Sequence, residues 1–147
     1  MMGVREIKFR GKRIDNGKWI YGYLHMEEDA GEYPVNIPGG GHGKQYGIFT
    51  NMAIQTVDDV ITGSHYVSCR TIGEYTGLKD KNGKDIYEGD IVHSNYGIIG
   101  TVKYEQGSFY IWKPSRKCAL AGLLNMGYEF EVLGNIYETP ELLEATP

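Results

Sequence analysis

The stretch that most constrains the fold runs from Thr71 to Val92 and reads TIGEYTGLKDKNGKDIYEGDIV. Asn82-Gly83 lies at its centre between two half-apolar runs, and Asn-Gly accepts the positive φ angles of a two-residue type I′ turn. Gly89 then allows a tight bend, and Ile91-Val92 is a β-branched pair suited to a strand. The stretch therefore predicts a β-hairpin, a turn and a further strand, which together form the centre of the core.

Length and composition favour a single, mainly β domain. A chain of 147 residues can bury a core without metal or disulfide support. Its 21 glycines and 12 tyrosines favour short strands and turns. Cys69 and Cys118 form no CxxC motif, the start of the chain lacks the apolar core of a signal peptide, and no stretch approaches the ~20 apolar residues of a membrane span. We therefore expect one domain over residues 1–147, reduced and cytoplasmic.

Charge is distributed unevenly along the chain. Residues 1–20 contain six Lys or Arg against two acidic residues, whereas the remainder contains nine against seventeen. A basic end beside an acidic body attracts phosphate backbones, and it equally attracts the acidic surface of a second copy of the chain. Charge alone leaves both kinds of partner open.

The N-terminal region predicts a first hairpin. Residues 6–12 alternate, with Ile7 and Phe9 on one face and Lys8 and Arg10 on the other, which is the period of a half-buried strand. A second Asn-Gly pair, Asn16-Gly17, follows at the expected turn.

The second strand of this hairpin carries three aromatic side chains on one face, Trp19, Tyr21 and Tyr23. The favoured interpretation is a sheet face that packs on the core. The alternative is a platform on which nucleic-acid bases stack.

Residues 25–47 break the alternation and predict a long, flexible, glycine-rich surface loop. The run Gly39–Lys44 is no phosphate-binding loop, because Pro38 stands where the GxxxxGK motif requires glycine and Gln45 replaces the hydroxyl residue.

The remaining chain continues the β pattern. Segments 64–69, 98–104, 109–112 and 128–137 predict strands, the middle two forming a meander with the strand at Ile91-Val92. Gly89–Val92 followed by Gly100–Val102 resembles the opening of small SH3-like barrels, so we expect small curled sheets of that type. Leucines at 120, 123 and 124 predict a short helix within 114–127, and Thr139 is placed to cap a closing helical turn.

Three blocks of the sequence together resemble the YopX family of phage and prophage proteins: REIKFRGKRIDNGKWIYGYL at residues 5–24, residues 71–92 with VKYEQGSFYIW after them, and VLGNIYETPELL at 132–143. The resemblance implies a small, mainly β protein encoded by temperate phages of low-GC Gram-positive hosts and their prophages. It also implies a homo-oligomer with no assigned biochemical activity. The chain departs from the family pattern at Ser68–Arg70 and in the loop Gly39–Lys44.

Candidate catalytic and metal-binding groups are weakly supported. The four histidines are far apart in sequence, and none has a metal-site spacing to another His or Cys, so we expect no metal. Four acidic residues cluster around the central hairpin, Asp80, Asp85, Glu88 and Asp90. Turn capping is the favoured role for them over general acid–base chemistry or magnesium binding. No GxSxG motif occurs. We therefore expect neither an enzyme nor a cofactor.

Two functional hypotheses remain. The first is a protein–protein interaction or self-assembling accessory protein, whose aromatic surface and strand edges are covered by a further copy or by a host or phage protein. The second is a nucleic-acid-binding module, for which the candidate residues are Lys8, Arg10, Lys12 and Arg13 toward phosphates and Trp19 and Tyr21 toward bases. The acidic net charge of −4 favours the first.

Overall fold

A computed structural model describes residues 5–28, 44–49 and 64–144, which form two compact units, Met1–Glu74 and Tyr75–Pro147. The described part of the first unit contains four complete strands, a 3-10 helix and the start of a fifth strand. These are β1 (Phe9–Lys12), β2 (Trp19–Glu28), β3 (Lys44–Phe49), β4 (Ser64–Val67), the 3-10 helix Cys69–Thr71 and β5 (Gly73–Lys79), which continues into the second unit.

The strands of the N-terminal unit form an antiparallel sheet in the order β4-β3-β2-β1, with Gly73 and Glu74 of β5 pairing beside β1. The hairpin predicted around Asn16-Gly17 is present, with β1 and β2 paired from Phe9↔Gly22 to Lys12↔Trp19. Few apolar side chains are buried here. Ile48 and Val67 are the buried apolar side chains of the described part of this unit.

The C-terminal unit contains six further strands and the predicted short helix. They are β6 (Asp85–Tyr87), β7 (Asp90–Ser94), β8 (Ile99–Glu105), β9 (Ser108–Lys113), β10 (Arg116–Ala119), α1 (Leu120–Asn125) and β11 (Phe130–Asn135), followed by a 3-10 helix at Pro140–Leu143. The five-stranded antiparallel sheet has the order β10-β9-β8-β7-β11, and residues 75–79 of β5 form a hairpin with β6.

A contiguous hydrophobic core lies within the C-terminal unit. Strands β7, β8 and β9 contribute Val92, Val102 and Ile111 to it, and helix α1 adds Leu120 and Leu123. The core consists of Ile86, Val92, Ile98, Val102, Ile111, Leu120, Leu123 and Phe130. The leucine spacing therefore predicted both the helix and the face that it buries.

The central hairpin forms, but its turn is not type I′. Gly83 has a φ of +81°. In the described part of the chain Gln106 is the only residue other than glycine with a positive φ, so Asn82 does not adopt the second positive φ that type I′ needs. Hydrogen bonds from Gly83 N–H to the Asp80 carbonyl and from Asp80 N–H to the Lys84 carbonyl close a three-residue loop that ends in a left-handed glycine. Asp80 explains this choice, because its carboxylate accepts the amides of Asn82 and Lys84 at 2.8 and 2.9 Å.

The loop predicted over residues 25–47 is wrong at both of its ends. Strand β2 continues to Glu28 and β3 begins at Lys44, and the two pair antiparallel from Tyr23↔Phe49 to Glu28↔Lys44. Side-chain alternation did not indicate strand β3, because Gly47 has no side chain that could continue the pattern. The ring of His25, its pairing partner, lies where a Cβ of residue 47 would be. The middle of the predicted loop lies outside the described residues, as do Thr50 and residues 53–60, whose short apolar runs fit either a strand or part of a helix.

The mainly β prediction is confirmed: two antiparallel sheets are built from hairpins, with one short helix near the C-terminus. Across residues 5–28, 44–49 and 64–144 both sheets are open, and no closed barrel of the SH3 type is formed. Thr139 is the N-cap residue of the closing 3-10 helix, as predicted, but its side chain forms no capping hydrogen bond. Its hydroxyl instead accepts the Asn135 amide at 3.1 Å and donates to the Asn135 carbonyl at 3.2 Å, tying the last 3-10 helix to the end of β11.

Candidate binding face

One side of the N-terminal sheet collects four of the six residues that the sequence placed in a nucleic-acid site. The register pairs Arg10 with Tyr21 and Lys12 with Trp19. Directly opposite residues of an antiparallel pair project from the same face of the sheet. Two cations of β1 and two aromatic side chains of β2 are therefore neighbours.

Both cations lie against the indole of Trp19. The guanidinium carbon of Arg10 is 4.6 Å from the centroid of the ring, and Lys12 Nζ is 5.5 Å from it. These distances fall within the range of cation–π attraction. Arg10 is only 5% exposed, whereas Trp19 is half-buried. We call Arg10, Lys12 and Trp19 the cation–indole cluster.

Next to this cluster the sheet presents exposed tyrosines. Tyr21 and Tyr23 are 49% and 44% exposed, and Tyr66 of β4 is 38% exposed. Gly47 pairs with both His25 and Tyr66, so Tyr66 lies on the same side as the odd-numbered residues of β2. We call Tyr21, Tyr23 and Tyr66 the tyrosine face. The favoured prediction that Tyr21 and Tyr23 pack on the core is therefore wrong, because this side of the sheet leaves them open to solvent.

Lys8 and Arg13, the other two predicted phosphate contacts, are engaged with carboxylates. Lys8 Nζ lies 3.1 Å from Glu6, and the Arg13 guanidinium donates two hydrogen bonds, of 2.8 and 2.5 Å, to Asp15. The hydrogen bond lowers the pKa of Asp15 and raises that of Arg13. Arg13 also pairs with Val67 in an isolated bridge, whereas Lys12 faces Trp19. The structure therefore separates Arg13 from the cation–indole cluster.

The acidic residues of the central hairpin serve as backbone acceptors or ion-pair partners. Asp80 is 7% exposed; burial alone would raise its pKa, but hydrogen bonds from the amides of Val132, Lys84 and Asn82 outweigh burial and lower it. Asp90, buried at the bend, accepts the Tyr87 amide at 2.8 Å, and Asp85 contacts Lys79 at 2.6 Å. The contacts of Asp80 and Asp90 are those of turn capping, the role that the sequence favoured, whereas Asp85 forms an ion pair.

Sequence reasoning missed two parts of this face, Tyr66 and the contact of His25 with Gly47. For Tyr66 a signal was present, because Val67 is apolar and inward-facing and its neighbour on a strand must face outward. No sequence pattern indicated the contact of His25 with Gly47, because it depends on the pairing of β2 with β3, and the sequence predicted a loop over residues 25–47. Among the residues that the structure describes, no group of three or more His, Cys, Asp or Glu side chains could hold a metal ion.

The fold and this face define a class: a two-unit, mainly β protein with an exposed aromatic sheet surface. No helix in the described ranges is long and apolar enough to cross a bilayer. The chain belongs to the YopX family, whose model, described as YopX protein, matches residues 8–144. The match confirms the resemblance carried by the three sequence blocks.

Among solved structures, the chain is similar to protein EF1440 from Enterococcus faecalis, known from a crystal structure. The TM-score is 0.56 at 22% sequence identity, and the match covers 95% of this chain and 99% of that one. At this identity the likeness supports the fold and nothing more specific. No curated protein matches the chain significantly.

Proposed function

We propose that this protein is a non-enzymatic interaction protein that associates with a second copy of itself through the tyrosine face. The observation that carries the proposal is the exposure of Tyr21, Tyr23 and Tyr66 on one side of one sheet. Tyrosine combines a large apolar ring with a polar tip, and both tyrosine and arginine are enriched at protein interfaces.

The cation–indole cluster beside the tyrosine face supports the same function. Arg10 and Lys12 lie on the indole of Trp19 rather than extending into solvent, so part of the surface is pre-ordered before a partner arrives. A rigid surface loses less side-chain entropy on binding than a mobile one. An isologous contact between two copies would bury the same tyrosines twice. Consistent with the phage and prophage origin that the family resemblance implies, we propose that this association occurs in the cytoplasm of a bacterial host, as an accessory function of a phage.

Light scattering coupled to size exclusion tests the proposal. We expect the wild-type protein to elute with a mass that is a multiple of 16.5 kDa. The double variant Tyr21→Ser/Tyr23→Ser should shift toward the monomer while keeping its β circular dichroism. Tyr96→Ser is the matched control, because Tyr96 is 66% exposed and belongs to the C-terminal unit. A wild-type monomer at tens of micromolar, or equal loss of association in the control, would contradict the proposal.

A second candidate function, binding of single-stranded nucleic acid, is favoured by a separate observation. Arg10, Lys12, Trp19 and Tyr21 share one sheet face, and aromatic side chains beside cations are the usual platform for stacked bases. The ion pairs of Lys8 and Arg13 count against it, because they reduce the positive charge offered to phosphates. This is why we place it second.

Fluorescence anisotropy with labelled oligonucleotides tests this candidate. Binding should weaken as salt rises, and Lys12→Gln should reduce the salt dependence by about one released counterion. Lys18→Gln is the control, because Lys18 is exposed in the turn and is not part of the cation–indole cluster. Absence of binding at low salt excludes the candidate, and an equal effect of Lys18→Gln excludes a role for the face.

A further inference from the structure

A second cluster of cations and aromatic rings lies on the five-stranded sheet of the C-terminal unit. The register pairs Lys103 with Tyr110, and Trp112 with both Thr101 and Lys117. These five side chains therefore project from one side of β8, β9 and β10. The opposite side of the same strands carries Val102 and Ile111 of the hydrophobic core. The cluster is thus on the face of the sheet that does not pack on helix α1.

Both lysines lie over the aromatic rings. Lys103 Nζ is 4.6 Å from the centroid of Trp112, and Lys117 Nζ is 5.1 Å from the centroid of Tyr110 and 5.8 Å from that of Trp112. Two ammonium groups, one from β8 and one from β10, therefore each lie within about 6 Å of the centroid of the same indole ring.

Negative charge on this face does not balance the two lysines. Glu105 lies 3.0 Å from Lys117. Lys103 has no carboxylate within ion-pair distance in the described part of the chain. One positive charge is left uncompensated.

Hydrogen-bond donors also exceed acceptors here. The indole Nε1 of Trp112 is buried and has no hydrogen-bond acceptor among the residues that the structure describes. A buried donor without an acceptor is unfavourable, and such groups are rare in folded proteins. This N–H belongs to the indole ring whose centroid lies 4.6 Å from Lys103 Nζ and 5.8 Å from Lys117 Nζ, and Glu105 is paired with Lys117.

We propose that Lys103, Lys117 and Trp112 form a binding site for a phosphate group. A phosphate carries at least three acceptor oxygens, enough for three separate donors, whereas a carboxylate carries two. Lysine binds phosphate as a point charge and needs no bidentate geometry, which suits ammonium groups that approach from two different strands. The inference is independent of self-association through the tyrosine face, because every residue of the site belongs to the C-terminal unit.

Calorimetric titration with inorganic phosphate tests the site directly. We expect saturable binding that weakens with added chloride, and we expect Lys103→Gln and Lys117→Gln each to weaken it about tenfold or more, as for removal of one charge-assisted hydrogen bond. Lys113→Gln is the matched control, because it makes the same charge change on the same sheet but alternates to the other side of β9. Unfolding midpoints of all variants should agree with the wild type, which separates loss of the site from loss of the fold.

Fluorescence in a Trp19→Phe background isolates the emission of Trp112, because the chain has two tryptophans. Phosphate should change this emission, and Trp112→Phe, which keeps an aromatic ring but removes the N–H, should weaken binding in the calorimeter. Nucleoside monophosphate and a short oligonucleotide serve as further titrants. Equal affinity for phosphate and the nucleotide identifies a free phosphate group as the ligand, and tighter binding of the oligonucleotide identifies a polynucleotide backbone.

The proposal is overturned by any of three results: no binding of phosphate at tens of millimolar, equal weakening in Lys113→Gln, or binding of a poly-glutamate peptide in the absence of phosphate binding. None of these results bears on the oligomeric state, so failure of this site and failure of the tyrosine face remain distinguishable.

Discussion

Both sheets carry cationic side chains beside aromatic rings, but they differ in which of these side chains are buried and which are exposed. On the N-terminal sheet the cation Arg10 is buried against Trp19, and Tyr21 on the neighbouring strand is exposed. On the C-terminal sheet the rings are innermost, since Trp112 is half-buried and Lys103 is exposed above it. The first surface therefore offers aromatic area to a partner, and the second offers positive charge. This difference is why we assign protein contact to one and phosphate to the other.

The two units also differ in what stabilises them. The C-terminal unit has a contiguous core of eight buried apolar side chains and turns anchored by the carboxylates of Asp80 and Asp90. In the N-terminal unit the described strands bury Ile48 and Val67, and the sheet depends more on its backbone ladder. Because hydrophobic burial is the main favourable term in folding, we expect most of the free energy of unfolding to arise from the C-terminal unit.

Deletion of a core ring should give the largest effect. Phe130 is 1% exposed and packs within the C-terminal core, so Phe130→Ala should lower the free energy of unfolding by about 3 to 5 kcal/mol. Val67→Ala, the corresponding deletion in the N-terminal unit, should lower it by about 2 kcal/mol. Urea denaturation followed by circular dichroism measures both. A larger loss for Val67→Ala would reverse the proposed distribution of stability.

The next largest effect is expected when a glycine of each sheet is replaced by alanine, because the added methyl group meets different obstacles in the two sheets. A Cβ on Gly100 would lie 2.6 Å from the backbone oxygen of Trp112 and from Ile111 Cγ2, neither of which can move freely. Gly100→Ala should therefore cost about 1 to 3 kcal/mol. The three atoms nearest to a Cβ on Gly47 all belong to the ring of His25, which can rotate away, so Gly47→Ala should cost less.

The double variant His25→Ala/Gly47→Ala provides the control for this comparison. If the ring of His25 is the obstacle, removing it should recover most of the loss measured for Gly47→Ala in the same urea denaturation experiment. A double variant that is no more stable than Gly47→Ala alone would show that the backbone, and not the ring, excludes the methyl group.

Much of the fold could be predicted from local pattern, because alternation and Asn-Gly turns act over a few residues. The hairpin at Asn16-Gly17, the meander of β7 to β9 and the helix at Leu120–Asn125 all follow from such signals. The pairing of His25–Glu28 with Lys44–Gly47 could not be predicted, since a glycine and a bulky ring complement each other only across two strands.

The candidate site could be predicted in composition but not in geometry. The alternation of side chains along a strand placed Trp19 and Tyr21 on the same face of the sheet. Whether that face is buried depends on packing between residues far apart in sequence. The ion pair of Arg13 with Asp15 could not be predicted either, because the two side chains come together only in the particular conformation that the turn adopts. The turn at Asp80 differed from type I′ because the Asp80 carboxylate accepts the amides of Asn82 and Lys84 within the loop. The same carboxylate also accepts the Val132 amide from β11, which is far away in sequence.

Removal of the Asp80 charge should have a smaller, pH-dependent effect. Asn at this position retains one acceptor oxygen but directs an amide group at one of the three donors, so Asp80→Asn should cost on the order of 1 kcal/mol at pH 7. The pKa of Asp80 is lowered in the folded protein, and its stabilising contribution is therefore fully present above the unfolded value near 3.8 and lost as pH falls below it.

Urea denaturation at pH 7 and pH 3 measures this dependence. The difference in unfolding free energy between wild type and Asp80→Asn should shrink at the lower pH. Glu131→Gln is the control, since Glu131 forms a partly exposed ion pair with Lys81 in the loop of the central hairpin and should show little difference at either pH. A difference for Asp80→Asn that does not change with pH would mean that the charge of the carboxylate is not what stabilises the turn.

The smallest effect is expected at the turn of the N-terminal hairpin, where Asp15→Asn removes the ion pair with Arg13. The side chain of Asp15 is 63% exposed, and exposed ion pairs contribute little because solvent screens them. The pKa of Asp15 is nevertheless lowered by the hydrogen bond from Arg13, so a nuclear magnetic resonance titration should find it below the ordinary value while the melting temperature of Asp15→Asn stays unchanged. A clear loss of stability would mean that this turn, unlike the one at Asp80, depends on an exposed charge.

The same variant also frees Arg13 from its carboxylate. If oligonucleotide binding then increases, the ion pair is what restrains the positive charge of the N-terminal sheet, and the contrast between an aromatic and a cationic surface would rest on a single turn residue.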